Sequence, residues 1–203
     1  MDEYQRFAVL YDPLLAPALR PVYREATGLL KQYGCVSMAD LCCGTGMLAG
    51  MAARTGMAAL GVDLSPAMLH VAARKQPARF IRADAAALPL NDDSLDGAAL
   101  SFSLHEKPWD TARAILFEAR RIVRPGGVIV VADYRMEPGN GWWSGRMIAT
   151  VERMAGRAHH GHFRRYMDRG GTEGFLSAAG LTGRCEQTFF SGWAGVYAIP
   201  VPE

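Results

Sequence analysis

Two hydrophobic periods alternate along the chain, and their order predicts its architecture. Short apolar runs at residues 36–39, 58–63, 80–84, 95–102 and 128–132 have strand length, and the last of these, Val128-Ile129-Val130-Val131-Ala132, is continuous, as a strand buried on both faces should be. Between them lie stretches apolar at helical spacing. Residues 47–54 are one, and Ser65-Pro66 opens a second that is carried by Met68, Leu69 and Val71, with serine as cap and proline in the first turn. A third spans residues 111–123 through Ala114, Ile115, Phe117, Ala119 and Ile122. Helical phase returns at residues 142–179, broken near Gly156 and Gly170. Two final strands, 181–190 and 194–199, flank the turn Ser191-Gly192-Trp193 and are expected to form an antiparallel hairpin. This alternation predicts an α/β fold, a doubly wound, mostly parallel sheet with helices on both faces.

Composition narrows the setting. At 203 residues and 50% apolar content the chain is expected to be a single domain with a sizeable core. The net charge of +2 does not call for nucleic acid, and basicity is almost wholly arginine, Lys31, Lys75 and Lys107 being the lysines. The start, Met1-Asp2-Glu3-Tyr4, is acidic with no long apolar run behind it, so a cytoplasmic location is expected, without a signal peptide or membrane span. Cys35, Cys42, Cys43 and Cys185 lack zinc-like spacing, and adjacent Cys42 and Cys43 read as small residues filling a tight turn.

The chemistry gathers where strands end. Asp40-Leu41-Cys42-Cys43-Gly44-Thr45-Gly46 joins the first strand to the first helical run, a glycine-rich turn that presents backbone amides to a ligand. Asp40, Asp63 and Asp84 stand at or near the ends of three successive strands, which in a doubly wound sheet converge on one crevice. There Asp63 is placed to take both hydroxyls of a ribose and Asp84 to accept from an adenine amino group. A pyrophosphate is poorly served by Asp40 just before the loop, whereas a ligand with an ammonium and a sulfonium is well served. Local charge therefore favours S-adenosylmethionine (SAM) over NAD.

These stretches, together with Gly61-Val62-Asp63-Leu64-Ser65-Pro66-Ala67-Met68-Leu69, Ala83-Asp84-Ala85 through Leu88-Pro89-Leu90, Ser101-Phe102-Ser103-Leu104-His105 and Arg121-Ile122-Val123-Arg124-Pro125-Gly126-Gly127, resemble the ordered motifs of class I SAM-dependent methyltransferases. The resemblance is strong over residues 35–135. The paired cysteines and Tyr11-Asp12 look most like the small-molecule branch that includes quinone C-methyltransferases. It implies a Rossmann-like sheet of seven strands with the last inserted antiparallel. It also implies that Gly44, Gly46 and the backbone around Cys42 line the methionyl part of the cofactor, with Asp40 on its ammonium. Asp63 would take the ribose, Leu64 and Met68 flank the adenine, Asp84 and the Ala85 amide read its edge, and Ser101 lie under the methionyl group. The product would be S-adenosylhomocysteine (SAH).

His105, just past the fourth strand, is the catalytic candidate: an imidazole titrates near neutrality and suits the proton of a phenol or enol, the competing readings being acceptor positioning and simple packing. Glu106 is its substitute. Residues 1–34 are expected to form an N-terminal helical lid in which Tyr11 closes the site, 35–135 the cofactor-binding core, 136–180 an acceptor-side cap and 181–203 the hairpin. The cap joins Trp142, Trp143, Met147, Ile148, Val151 and Met154 to six arginines and to His159, His160 and His162. It suits an aromatic or lipophilic acceptor, or transient contact with a membrane surface, although the simpler reading of the arginines is the solvated face of an amphipathic helix. No metal is expected, since side-by-side histidines are a poor ligand geometry. The functional expectation is methyl transfer from SAM to a small acceptor, set against a catalytically silent SAM-binding sensor and an NAD-type dinucleotide-binding module. No base-binding element follows the fourth strand, so no nucleic-acid partner is expected. Oligomeric state is not legible.

Overall fold

A computed structural model describes residues 8–136 and 157–203, with side chains described for 16–136 and 159–203. Five strands run parallel: β1 (Ser37–Leu41), β2 (Ala58–Asp63), β3 (Arg79–Arg82), β4 (Leu95–Ser101) and β5 (Val123–Tyr134). Strands β6 (Arg184–Phe189) and β7 (Ala194–Pro200) form an antiparallel hairpin whose second strand inserts between β5 and β6. The order β3-β2-β1-β4-β5-β7-β6 is the doubly wound sheet with an antiparallel strand that the sequence implies.

Side-chain alternation sends the two faces of the sheet to two cores. On one face Ala98 and Leu100 of β4, Ile129 and Val131 of β5, and Tyr197 and Ile199 of β7 pack on helices α4 (Trp109–Ile122), α5 (Arg157–Asp168) and α6 (Gly171–Ala178). On the other, Ala99, Val128, Val130, Ala132, Val196 and Ala198 meet α1 (Ala8–Gln32) and α2 (Met47–Arg54). Helix α1 buries Leu19, Val22, Tyr23, Ala26, Leu29 and Leu30, a stripe of three- and four-residue steps, so its second half is a structural layer. Helix α3 (Pro66–Lys75) begins as expected, the Ser65 hydroxyl accepting from the Met68 amide at 3.2 Å with proline in the first turn.

The segment Arg124-Pro125-Gly126-Gly127, which precedes the apolar run beginning at Val128, belongs to β5. Pairing of β4 with β5 shifts register between Leu95 and Gly97, and a side chain on Gly127 would come within 2.4 Å of the Asp96 carbonyl. The two glycines thus let an irregular strand start lie against its neighbour.

Asp96 fastens the amino-terminal ends of β1, β4 and β5 to one another. Its Oδ2 accepts from the amides of Val36 (2.9 Å) and Ser37 (2.8 Å) and from the Ser37 hydroxyl (2.8 Å), while Oδ1 accepts from Arg124 Nε at 2.7 Å. Partial burial opposes its charge, but Arg124, the Ser37 hydroxyl and the two amides outweigh that and hold its pKa down to about 2. A carboxyl whose folded pKa lies below its unfolded value stabilises the fold above the unfolded pKa and loses that contribution as pH falls through the folded one. Asp96→Ala is therefore expected to cost about 2 kcal/mol at neutral pH. In urea unfolding, the gap between wild type and variant should narrow as pH falls from about 4 toward about 2.

Candidate active site

A cavity of about 750 Å³ opens at the carboxyl ends of β1, β2 and β4, within the range of small-molecule sites. The turn after β1 forms its floor. Cys42 adopts a left-handed backbone (φ 58°), as do Gly44 (54°) and Gly46 (72°), so the chain reverses within five residues before α2 starts. Gly46 is required sterically as well: a side chain there would meet the Phe80 ring at 2.5 Å. At Gly44, by contrast, a Cβ would find nothing within 4 Å, which leaves open space above the loop.

Strand β2 holds the loop in shape. Cys43 N–H donates to the Val62 carbonyl at 3.0 Å, and Gly44 N–H to Asp63 Oδ2 at 2.8 Å. Asp63 Oδ1 accepts from the Ser65 amide at 2.8 Å. A carboxylate offers about four lone-pair sites, so two such bonds orient Asp63 and leave capacity for ribose hydroxyls. Leu64, beside it, is 57% exposed, an apolar surface turned to the cavity with Met68 behind it. Asp84 is exposed and bonded to the Ala86 amide at 2.9 Å, and Ala85 next to it is buried. The loop carrying them is clamped from below: Arg121 donates to the carbonyls of Leu90 (2.7 Å) and Leu88 (3.2 Å), and Glu118 accepts from the Leu88 amide (2.7 Å).

Of the residues singled out from sequence, Cys42, Gly44, Asp63, Leu64, Met68, Asp84, Ala85 and Ser101 all line this one cavity. Gly46 lies behind the loop against Phe80. The side chains of Tyr11 and of the cap residues Trp142 to Met154 fall outside the described residues. Two residues expected at the site lie off its wall. Asp40, expected on the cofactor ammonium, is 1% exposed at the start of α2: its Oδ2 accepts from the Ala49 amide at 3.0 Å, and its Oδ1 is buried without a hydrogen-bond partner. His105, expected beside the acceptor, is 3% exposed and off the cavity wall. Its Nδ1 lies 2.6 Å from Asp133 Oδ1, and its ring packs edge-on against Tyr134, Phe163 and Tyr166. Asp133 also accepts from the amides of Leu104 (3.0 Å) and Tyr134 (2.8 Å), so the pair ties the loop after β4 to the end of β5.

Glu106 and Lys107, the next two residues, do face the cavity, joined at 2.8 Å. Burial opposes the Lys107 charge, yet Glu106 holds its pKa above the ordinary lysine value. Lys107, Tyr23, Phe102, Ser103 and Thr111 are wall residues that sequence reasoning missed. The signal for Lys107 was its rarity among basic residues, two positions after the candidate histidine. Phe102, at the end of β4, carries another left-handed non-glycine backbone (φ 48°), so with Cys42 two strained positions flank the cavity. The histidines of the cap part company: His159 approaches Glu106 (3.7 Å) while His160 stacks on Phe163. Burial pushes the Cys42 thiol up to about 12 and Cys43 higher still, so neither is a nucleophile at neutral pH.

Residues 38–127 match a family model described as a methyltransferase domain. With this strand order and a cavity over the β1–α2 turn, the chain resembles the class I SAM-dependent methyltransferases over that stretch. Its relatives include the demethylmenaquinone methyltransferase of Clavibacter sepedonicus, 35% identical over 103 residues, covering 49% of this chain and 41% of that protein. The demethylmenaquinone methyltransferase of Thermus thermophilus is 35% identical over 122 residues, covering 57% and 54%. The chain spans about half the length of the curated relatives it matches. Among solved structures, magnesium protoporphyrin IX methyltransferase from Synechocystis PCC 6803, with bound SAH, superposes with a TM-score of 0.62 at 15% identity over 90% of this chain and 84% of that one, a likeness of fold.

The inward position of Asp40 has a consequence for stability. Burial, offset in part by the Ala49 amide and reinforced by the nearby Asp63 charge, raises its pKa to about 7. A carboxyl that keeps its proton longer folded than unfolded makes stability fall as pH rises from about 4 to about 7. Asp40→Asn keeps an acceptor for Ala49 and removes the titration. Its melting temperature relative to wild type is therefore expected to rise between about pH 5 and about pH 8 in thermal scans.

Proposed function

We propose that this protein transfers a methyl group from S-adenosylmethionine to a small aromatic or lipophilic acceptor, with a quinol as the leading candidate. The observation that carries the reading is the joint placement of Asp63, Leu64, Met68, Asp84 and Ala85 around one cavity directly above the open space at Gly44. The residues fit the group: a pre-oriented carboxylate for ribose, an exposed leucine and a methionine for the adenine faces, and an acid and amide for its edge. The quinol preference comes from the demethylmenaquinone methyltransferases that the chain resembles over part of their length.

When bound, SAM supplies an activated methyl on a sulfonium, and the reaction is an in-line displacement. What remains for the protein is to position the acceptor and exclude water. Ser101, Phe102 and Ser103 form the wall at the end of β4 past which an acceptor would approach. His105 acts through the loop: held by Asp133, it fixes the segment that presents Glu106 and Lys107 to the cavity. A proton on the acceptor is then lost to solvent. Among the described residues no helix is long and apolar enough to cross a membrane, so a lipophilic acceptor would be met at the cavity mouth or at a membrane surface. A cytoplasmic location is part of the same proposal.

Calorimetry with SAM, SAH and NAD tests the cofactor; SAM-family binding is expected, and binding of NAD alone would overturn the reading. Asp63→Ala is expected to weaken SAM by about 1.5–3 kcal/mol, the loss of charged hydrogen bonds. His105→Ala should weaken SAM far less, because the imidazole reaches the cavity only through its loop. Transfer of labelled methyl to demethylated naphthoquinols, phenols and amines then ranks acceptors, and equal rates across all three would remove the quinol preference.

A further inference from the structure

The cofactor just proposed ends in an amino acid, a carboxylate and an ammonium, and the acid expected to serve it, Asp40, is buried at the start of α2 and is not part of the cavity wall. Counter-charges must come from elsewhere on the wall. Glu106 and Lys107 are both there, with side chains only 18% and 24% exposed. Lys107 Nζ sits 2.8 Å from Glu106 Oε1, so the two charges are held as a fixed dipole. Lys107 and Glu106 line the same cavity as Cys42 and Gly44 of the β1–α2 turn, where the methionyl end is expected. The other cation on the described wall, Arg82, is engaged at the opposite end, donating to the Leu64 carbonyl at 3.1 Å where the adenine is expected.

We propose that the Glu106–Lys107 pair is the receptor for the amino-acid end of the cofactor: Lys107 takes the carboxylate and Glu106 the ammonium. The inference rests on the SAM reading. A zwitterion approaching a fixed ion pair lies antiparallel to it, each charge facing its opposite, and partial burial keeps that attraction from being screened as at a free surface. The pair is held for this. Glu106 is backed by His159 Nδ1 at 3.7 Å, and the preceding residue, His105, is locked to Asp133. The buried histidine therefore serves the cofactor at one remove, by steadying the backbone from which the pair projects.

The test compares two ligands by calorimetry: SAH, and 5′-methylthioadenosine, which keeps the adenosyl thioether and lacks the amino acid. For Lys107→Met and Glu106→Gln the expected result is that SAH weakens by about tenfold or more while methylthioadenosine stays within about twofold of wild type. Methylthioadenosine binding also reports that the site is folded, and Lys107→Gln replaces Lys107→Met if the latter fails that check. If SAH affinity is unchanged in folded variants, or both ligands weaken equally, the pair does not hold the amino-acid end and this inference falls alone. If wild type binds neither ligand, the SAM reading falls and takes this one with it.

Discussion

The turn between β1 and α2 cannot satisfy its own backbone, and the rest of the site depends on how β2 satisfies it. Three left-handed residues in five, one of them a cysteine, leave amides pointing out of the turn rather than into a ladder. The Val62 carbonyl and the Asp63 carboxylate take two of these, at 3.0 and 2.8 Å. The residue read as the ribose ligand is therefore also the one that shapes the glycine loop. Both jobs use one carboxylate because its lone pairs exceed what the loop requires. Loop, ribose site and the start of α3 are tied into one unit, since Ser65, which caps α3, donates its amide to the other oxygen.

A parallel sheet makes such economy available. Every parallel strand ends on the same side, so Leu41, Asp63, Arg82 and Ser101 deliver their following loops to one rim. Small residues in β4, Gly97-Ala98-Ala99, allow close approach: a side chain at Gly97 would meet Leu30 at 2.7 Å and Cys35 at 2.9 Å. The antiparallel β7 then closes the far side of β5 with Tyr197, whose hydroxyl bonds Glu173 and Arg135 and anchors α6 behind the site.

Most of the fold was legible because its signals are local. Strands β2 and β4, the Ser65-Pro66 helix start and the terminal hairpin all announce themselves within a dozen residues, and the structure places them where the pattern does. What escaped was set by partners distant in sequence. Nothing near Asp96 shows that it binds Ser37, 59 positions away, and nothing near His105 shows that Asp133, 28 positions on, draws its ring inward. Arg124 to Gly127, which the sequence left outside the strand beginning at Val128, are part of β5, whose pairing with β4 begins at Val123 opposite Leu95.

Asp40 and His105 show why strand-end position alone does not assign a role. Both stand where a ligand would be touched, and both face the protein, because a buried carboxylate or imidazole is stable only where backbone or an opposite charge receives it. Asp40 finds the Ala49 amide and His105 finds Asp133. Each is thereby committed to holding an element that does reach the cavity, α2 in one case and the loop of Glu106 and Lys107 in the other. Charge on the wall is carried instead by groups that keep a partner and still face the ligand space, Asp63 through two amides and Lys107 through Glu106. Pre-orientation by a neighbour that leaves binding capacity unspent is what separates the wall residues from the supporting ones.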